Sequence, residues 1–551
     1  MTRKLAVAAI WLAAMCGEGA AQTVAGAAAG WPQDSAQDSA QGLDRQIAAV
    51  LTQPAVSRAH WGVKVTALDG TPIYSLNEAQ FFQPASNTKL FTTATAMALL
   101  GAQMTFDTQV VGTVDAASGT VTGDLSLVGG GEGNLSGREL PYATPGTRAK
   151  GDAAVAPADP LRYLAEMADQ VAAKGVRLVT GDVVGYDTLF PWEPFPSDWS
   201  IDDMVWGYGA PVSALTINDN QLKVTVAPAA VAGRPAMVQV WPATPYYTLD
   251  VKVNTEAAKA GSRVRFERAP GSKVLHISGG IAVDSPPDVE EVAIQDPAEY
   301  AAMALKGMLE ARGIAVKGVA RAMHWEDFGE RRGFLEQTRE PVDTRRLDGT
   351  AGLGCSVVNW PQARRQGDSV LATHRSAPLV EDVMVTNKVS QNLHAELMLH
   401  QLGLRLTCFG TAAQGARVVR SFLTAKAGID KDDFVFYDGS GLSGHDLVTP
   451  RATARLLSFA TTQPWFADWK ASLPVGGEDS GLAARFAKTP LKDHVFAKTG
   501  TLGEARALSG YLDCASGKTV IFSVMVTSHM PGGTDDRDAM DKIVAAIQAA
   551  E

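Results

Sequence analysis

Ser86-Asn87-Thr88-Lys89 puts a hydroxyl and an amine one helical turn apart, at the head of an apolar-periodic stretch that runs to Leu100 and stops at Gly101. Residues three apart on a helix project from one face, and a helix N-terminus adds free N–H groups and a partial positive charge. A serine hydroxyl is a weak nucleophile near neutral pH and needs a base within hydrogen-bond reach. An amine serves as that base once burial or a nearby cation lowers its pKa. Two further groupings extend this chemistry. Ser390-Gln391-Asn392 precedes the helix Leu393–Leu402 and offers a second hydroxyl to relay protons and an amide to hold a substrate amide. Lys498-Thr499-Gly500-Thr501 stands in a strand. There the lysine and threonine hydroxyls suit a carboxylate, Gly500 leaves room for close backbone approach, and an edge strand can pair with an extended peptide.

Each grouping also has a plainer reading. Ser86 can be an N-cap beside a solvated lysine, Ser390 or Asn392 an N-cap, and Lys498 one exposed side chain on a strand. An isolated SxxK arises by chance about once in a chain this size; the ordered conjunction of the three is the signal. Other patterns point nowhere. Gly439-Ser440-Gly441-Leu442-Ser443-Gly444 satisfies GxGxxG, but the next helix begins only at Thr449-Pro450, so the glycines offer a phosphate no helix N-terminus. His394 and Glu396 resemble half a zinc signature without HExxH, and nine histidines lack ligand spacing. The expectation is therefore an ordinary helix there, no metal and no cofactor. No serine lies in GxSxG, which removes the nucleophile-elbow argument.

The elements that must position these groups read as follows. Two strands, Trp61–Leu68 and Pro72–Leu76, flank the turn Asp69-Gly70-Thr71 and precede the helix Asn87–Leu100. Phe106–Val128 alternates as strands, Leu161–Lys174 is an amphipathic helix and Leu178–Val184 a strand. Residues 190–295 are rich in Pro, Trp and Gly and hold several strands. A helix Pro297–Ala311 and a strand Val316–Met323 follow, and 325–375 is polar and Arg-rich. Four helices near 379–387, 392–403, 411–427 and 450–461 lead into strands Val495–Leu502, Ala505–Asp513 and Thr519–Thr527 and a last helix Asp535–Ala550. Helices beside an antiparallel meander read as α+β.

At 551 residues the chain exceeds one ordinary core, with about three or four domains expected. Apolar residues at 46% and charged residues at 20% exclude a disordered chain. The net charge of −10 argues against nucleic acid or an anionic lipid surface as a general partner. Met1–Ala21 reads as an export signal: Arg3 and Lys4, then the apolar Leu5–Met15, then Gly19-Ala20-Ala21 for cleavage. No other apolar stretch has membrane-spanning length, so at most peripheral membrane contact is expected. Residues 22–42, with their Asp-Ser-Ala-Gln tandem, read as a flexible leader. Past the signal only Cys355, Cys408 and Cys514 remain, allowing at most one disulfide.

Longer strings carry a resemblance. Phe82-Gln-Pro-Ala-Ser-Asn-Thr-Lys-Leu, Tyr208-Gly-Ala-Pro-Val-Ser-Ala-Leu, Asn387-Lys-Val-Ser-Gln-Asn-Leu-His-Ala-Glu, Asp438-Gly-Ser-Gly-Leu-Ser and Ala497-Lys-Thr-Gly-Thr-Leu resemble the D-alanyl-D-alanine carboxypeptidase/endopeptidase family of low-molecular-mass penicillin-binding proteins. The 304 positions between Ser86 and Ser390 suit that family's insertions between its first two motifs. The resemblance implies an α+β, serine β-lactamase/transpeptidase-like domain (43–105 and 372–551), an inserted domain II (106–190 and 296–371) and a β-rich domain III nested in it (191–295). It implies Ser86 as acyl-accepting nucleophile, Lys89 as general base and Ser390 as proton relay. Asn392 would hold the substrate peptide, Lys498 and Thr499 its terminal carboxylate, and the N–H groups of Ser86 and Thr501 the oxyanion. The Lys498 charge, placed near Lys89, would favour the neutral base, and Asp203 would meet a side-chain amine of the substrate. The implied activity is a periplasmic serine-type D-Ala-D-Ala carboxypeptidase, with endopeptidase activity open, acting on peptidoglycan stem peptides and blocked by β-lactam antibiotics. A β-lactamase on the same fold and a non-catalytic cell-wall-binding module are the alternatives. Gly129-Gly-Gly-Glu-Gly-Asn lacks the family's Asp-Pro, and 325–370 is longer than usual.

Overall fold

A computed structural model describes residues 34–143, 158–327, 329–348, 367–478 and 480–551; the export signal lies outside them. The strand His60–Ala67 is buried along nearly all its length, as a strand covered on both faces must be. It pairs antiparallel with Pro72–Leu76 on one side and Thr519–Thr527 on the other. The meander continues through Ala505–Asp513 to Val495–Leu502, which forms one edge of the five-stranded sheet.

Alternation along Thr519–Thr527 divides the core between the two faces. Phe522, Val524 and Val526 meet Leu43, Ile47, Ile543 and Ile547 from the helices Asp34–Leu51 and Asp535–Ala550. Ile521 and Met525 face Leu90, Phe91, Met398, Phe422 and Leu457 from the helices Thr88–Leu99, Asn392–Thr407, Ala412–Ala425 and Pro450–Ala460. Thr88–Leu99 is enclosed on every side, with ten consecutive buried residues from Thr88 to Met97, and its buried threonine hydroxyls are hydrogen-bonded, as in Thr88 to Asp446, Thr92 to Gly439 O and Thr93 to Lys89 O.

Between the first and second motifs the chain builds separate layers. Ala320–Met323, Val183–Tyr186, Leu125–Val128, Asp107–Gly112 and Ser369–Arg375 form, in that order, a second five-stranded sheet. It packs against the helices Arg162–Ala173 and Pro297–Ala311 through Val110, Leu127, Leu164, Ala298 and Leu305. Residues 221–293 form two three-stranded sheets around a core of Val224, Val226, Phe266, Leu275 and Ile277.

Four expectations need correction. The Asp34–Leu51 helix begins inside the stretch read as a flexible leader, because the Ala and Gln of its tandem repeat are good helix formers. The expected boundary at 371/372 cuts the strand Ser369–Arg375, which pairs with Asp107–Gly112. The chain re-enters the first core just after that strand, where Ser376 N donates to Phe106 O at 2.8 Å. The expected strand Leu178–Val184 is two, Leu178–Val179 and Val183–Tyr186, in different sheets, and Val316–Met323 divides likewise. Within 325–375 stand two short helices, Phe334–Thr338 and Thr344–Leu347. Cys408 is disulfide-bonded and Cys514 is a buried free thiol; Cys355 lies outside the described residues. Among the described residues no helix is long and apolar enough to cross a membrane.

Candidate active site

Ser86 sits in a tight turn, Ala85–Asn87, immediately ahead of the Thr88–Leu99 helix. Ala85 is left-handed there (φ 46°), a strain that persists only where surrounding structure over-determines it. Lys89, fully buried, lies with Nζ 2.9 Å from Ser86 Oγ. The same nitrogen donates to Asn392 Oδ1 at 2.6 Å and to Ser440 O at 2.7 Å. A neutral amine has two N–H groups and one lone pair. With both N–H groups committed to oxygens that have no proton to return, the lone pair is left for Ser86. Burial drives the Lys89 pKa down to about 8, against the pull of the Asp438, Glu396 and Asp446 carboxylates.

Ser390 is left-handed (φ 61°) at the entry to Asn392–Thr407, where Gln391 Oε1 caps Leu393 N. Asn392 Nδ2 donates to Tyr208 O at 2.8 Å, which turns its Oδ1 toward Lys89. Lys498, also fully buried, donates to Ser390 Oγ and to Thr499 O, both at 2.9 Å. Its strand is tied to the Ala85–Asn87 turn by Asn87 Nδ2 donating to Lys498 O at 3.0 Å. The reason for glycine at 500 is steric. A Cβ there would stand 2.5 Å from Pro84 O and 3.1 Å from Ser86 N.

Ser86, Asp203, Tyr208, Ser390, Asn392 and Thr501 line a single cleft of about 390 Å³, with Leu442 and Leu502 as apolar wall. Lys89 and Lys498 reach that cleft from beneath through Ser86 and Ser390. Thr499 is not part of the lining; its hydroxyl lies toward Gly481. Asp203 accepts from the Tyr208 hydroxyl at 2.9 Å, and burial raises its pKa. Lys89 and Lys498 disfavour each other's protonation, as two close amines must. Burial accounts for the Lys89 shift, whereas Lys498 is pushed well below the ordinary amine range by burial and then by the Lys89 charge.

The glycine-rich segment set aside as a false nucleotide motif belongs to this site. Gly441 lines the cleft at φ 80°, and a Cβ on it would lie 1.8 Å from Ala85 O. Beneath it the Asp438 carboxylate accepts from Trp199 Nε1 at 2.9 Å, Gly441 N at 2.6 Å and Ser443 N at 2.8 Å. Glu396 accepts from Gly439 N with both oxygens at 3.0 Å, and burial pushes its pKa up to about 8. The available signal was an acid followed by alternating glycines, the pattern of a carboxylate collecting backbone N–H groups. Glu396 and His394 do lie on one helix as expected, but both are buried. Among the described residues no group of three or more His, Cys, Asp or Glu is arranged to hold a metal ion.

The family model for the D-Ala-D-Ala carboxypeptidase 3 (S13) family matches residues 43–326 and 353–548. Its interruption falls in the segment that the sequence marks as longer than usual. The D-alanyl-D-alanine carboxypeptidase of Actinomadura sp. (strain R39) is 32% identical over 500 residues, covering 88% of this chain and 81% of that protein. The penicillin-sensitive carboxypeptidase A of Dictyostelium discoideum is 23% identical over 505 residues, covering 88% and 87%. The crystal structure of penicillin binding protein 4 (dacB) from Haemophilus influenzae superposes with a TM-score of 0.70 at 19% identity, covering 91% of this chain and 98% of that one.

Proposed function

Because the chain belongs to the D-Ala-D-Ala carboxypeptidase 3 (S13) family, we propose that it cleaves D-Ala–D-Ala in peptidoglycan stem peptides through an acyl-enzyme on Ser86. Lys89 takes the Ser86 proton as Oγ attacks the carbonyl of the penultimate D-alanine. The negative oxygen of the tetrahedral intermediate is met by the N–H groups of Ser86 and Thr501. Ser390 passes the proton from Lys89 to the departing D-alanine amine, and water then releases the acyl group by the same relay in reverse. Lys498 meets the substrate's terminal carboxylate, and that anion restores the proton which burial otherwise removes. The second N–H of Asn392 Nδ2 is free for the substrate peptide. A β-lactam follows the first step only, since its leaving amine stays tethered in the acyl-enzyme. The Met1–Ala21 segment directs the chain to export and a periplasmic site of action, and Asp203 selects substrates with a side-chain amine. The inserted layers from 106 to 375 supply that part of the cleft.

The observation that supports this reading is the convergence of Ser86, Lys89, Ser390 and Lys498 on one cleft. Its test is a fluorescent penicillin together with a muropeptide digest. Labelling lost in Ser86→Ala and free D-alanine released from pentapeptides support it. Persistent labelling of the alanine variant removes Ser86 from its role. Split cross-linked dimers in the same digest report endopeptidase activity.

A further inference from the structure

Behind the Ser390 loop, outside the cleft, lies a buried ionic hub. Asn218, Asp219 and Asn220 are three successive left-handed residues, with φ of 50°, 53° and 54°. Such a run of non-glycine residues is held only by strong outside contacts, and Asp219 supplies them. Its carboxylate, 4% exposed, accepts from Arg138 Nη1 at 3.1 Å and Nη2 at 2.7 Å, from Gln391 Nε2 at 2.9 Å, and lies 3.2 Å from His394 Nε2. The other His394 nitrogen lies 3.2 Å from Asp382 Oδ1, and Asp382 accepts from the Asn134 amide. The imidazole is clamped between two carboxylates and against Gly133, where a Cβ would approach the ring to 2.9 Å.

We propose that Asp219 is a positioning residue that holds the Ser390–Asn392 loop in its reactive shape, so that the segment inserted between the first and second motifs is a working part of the catalytic geometry. Gln391, the middle residue of that loop, bridges Asp219 and the first turn of the following helix. One residue before it Ser390 is held left-handed, and one residue after it Asn392 orients Lys89. The same inserted segment reaches Asn392 a second way. Asn220 Nδ2 donates to Pro211 O at 2.9 Å, bracing the stretch whose Tyr208 carbonyl accepts from Asn392. Asp219 touches no reacting atom; it acts through Gln391 and His394.

This inference rests on the reading of Ser390 and Asn392 as relay and substrate holder, and its test separates the two. A chromogenic β-lactam is used to measure the acylation rate constant and the pre-covalent dissociation constant of the full chain carrying Asp219→Asn, Gln391→Ala or Asn392→Ala, with melting temperatures alongside. Gln391→Ala leaves the Arg138–Asp219–His394 contacts intact and removes their link to the loop together with the Gln391 Oε1 cap on Leu393 N. The expected result is an acylation rate lowered about tenfold in Gln391→Ala and up to about 100-fold in Asp219→Asn, the scale of a small misplacement of reacting groups. The dissociation constant stays within about threefold, and the Gln391→Ala melting temperature falls only by the few degrees that losing one helix cap costs. Wild-type acylation rates in folded Gln391→Ala and Asp219→Asn, or a loss confined to the dissociation constant, overturn the proposal. Wild-type acylation in Asn392→Ala overturns the underlying reading instead.

Discussion

Lys498 Nζ donates to Ser390 Oγ at 2.9 Å, although the strand carrying one and the loop carrying the other are 108 positions apart. The Ser390 oxygen is thereby occupied as an acceptor while its own proton stays available, the state a relay needs before it protonates a leaving amine. In Ser390→Ala the buried Lys498 keeps only the Thr499 carbonyl. The expected outcome is an acyl-transfer rate lowered about 10²- to 10³-fold and a stability loss of about 1–3 kcal/mol, read by stopped-flow acylation and chemical denaturation.

The depressed Lys89 pKa sets a pH profile. The base must be neutral, so kcat/KM rises with pH by about tenfold per unit well below 8 and levels above about 8. A profile flat between pH 6 and 9 contradicts Lys89 as the base. Folded Lys89 titrates at about 8 against an ordinary value of 10.5, so the unfolded chain holds the extra proton in that window. The Lys89 contribution to stability therefore rises with pH from about 8 to 10.5 and is constant on either side.

Gly500→Ala forces a methyl group onto Pro84 O and Ser86 N, both backbone atoms, so the strand and the Ala85–Asn87 turn must part. Acylation should fall about 100-fold, with an overpacking cost of about 1–3 kcal/mol. Equal acylation rates in folded variant and wild type would show that the turn tolerates the shift.

Asp438→Ala leaves Trp199 Nε1, Gly441 N and Ser443 N without their acceptor in a buried site. Each orphaned donor costs about 1–3 kcal/mol, so a loss of at least about 3 kcal/mol is expected in thermal unfolding. The Ser440 carbonyl then no longer fixes Lys89, and penicillin labelling slows even at temperatures where the variant is folded.

Asp203→Ala tests selectivity separately from chemistry. Removing the carboxylate that shares the cleft with Ser86 should lower kcat/KM about tenfold for peptides with a free side-chain amine. Acylation by a β-lactam without such an amine should change less than about twofold. An equal loss on both would make Asp203 and its Tyr208 partner structural.

Much of the scaffold was legible locally. Val495–Leu502, Ala505–Asp513, Thr519–Thr527, Pro297–Ala311 and Asp535–Ala550 have the bounds that periodicity alone suggests. Their ends are marked by local chemistry, such as Asp296 accepting from Glu299 N ahead of Pro297. The failures share a cause. Leu178–Val179 and Val183–Tyr186 differ in the sheet they join, and Ser369–Arg375 belongs with Asp107–Gly112; pairing partners so distant leave no trace in local alternation.

By itself the sequence offered Ser86, Lys89, Ser390, Asn392 and Lys498 as groups of the right chemical type, and helix and strand periods indicated the element on which each grouping stands. Only the tertiary structure decided their state. Asn392 and Ser440, 303 and 351 positions from Lys89, take its two N–H groups, and complete burial draws its proton affinity down. A pKa and the direction of a lone pair depend on what surrounds an atom in space, and short-range spacing carries no record of that.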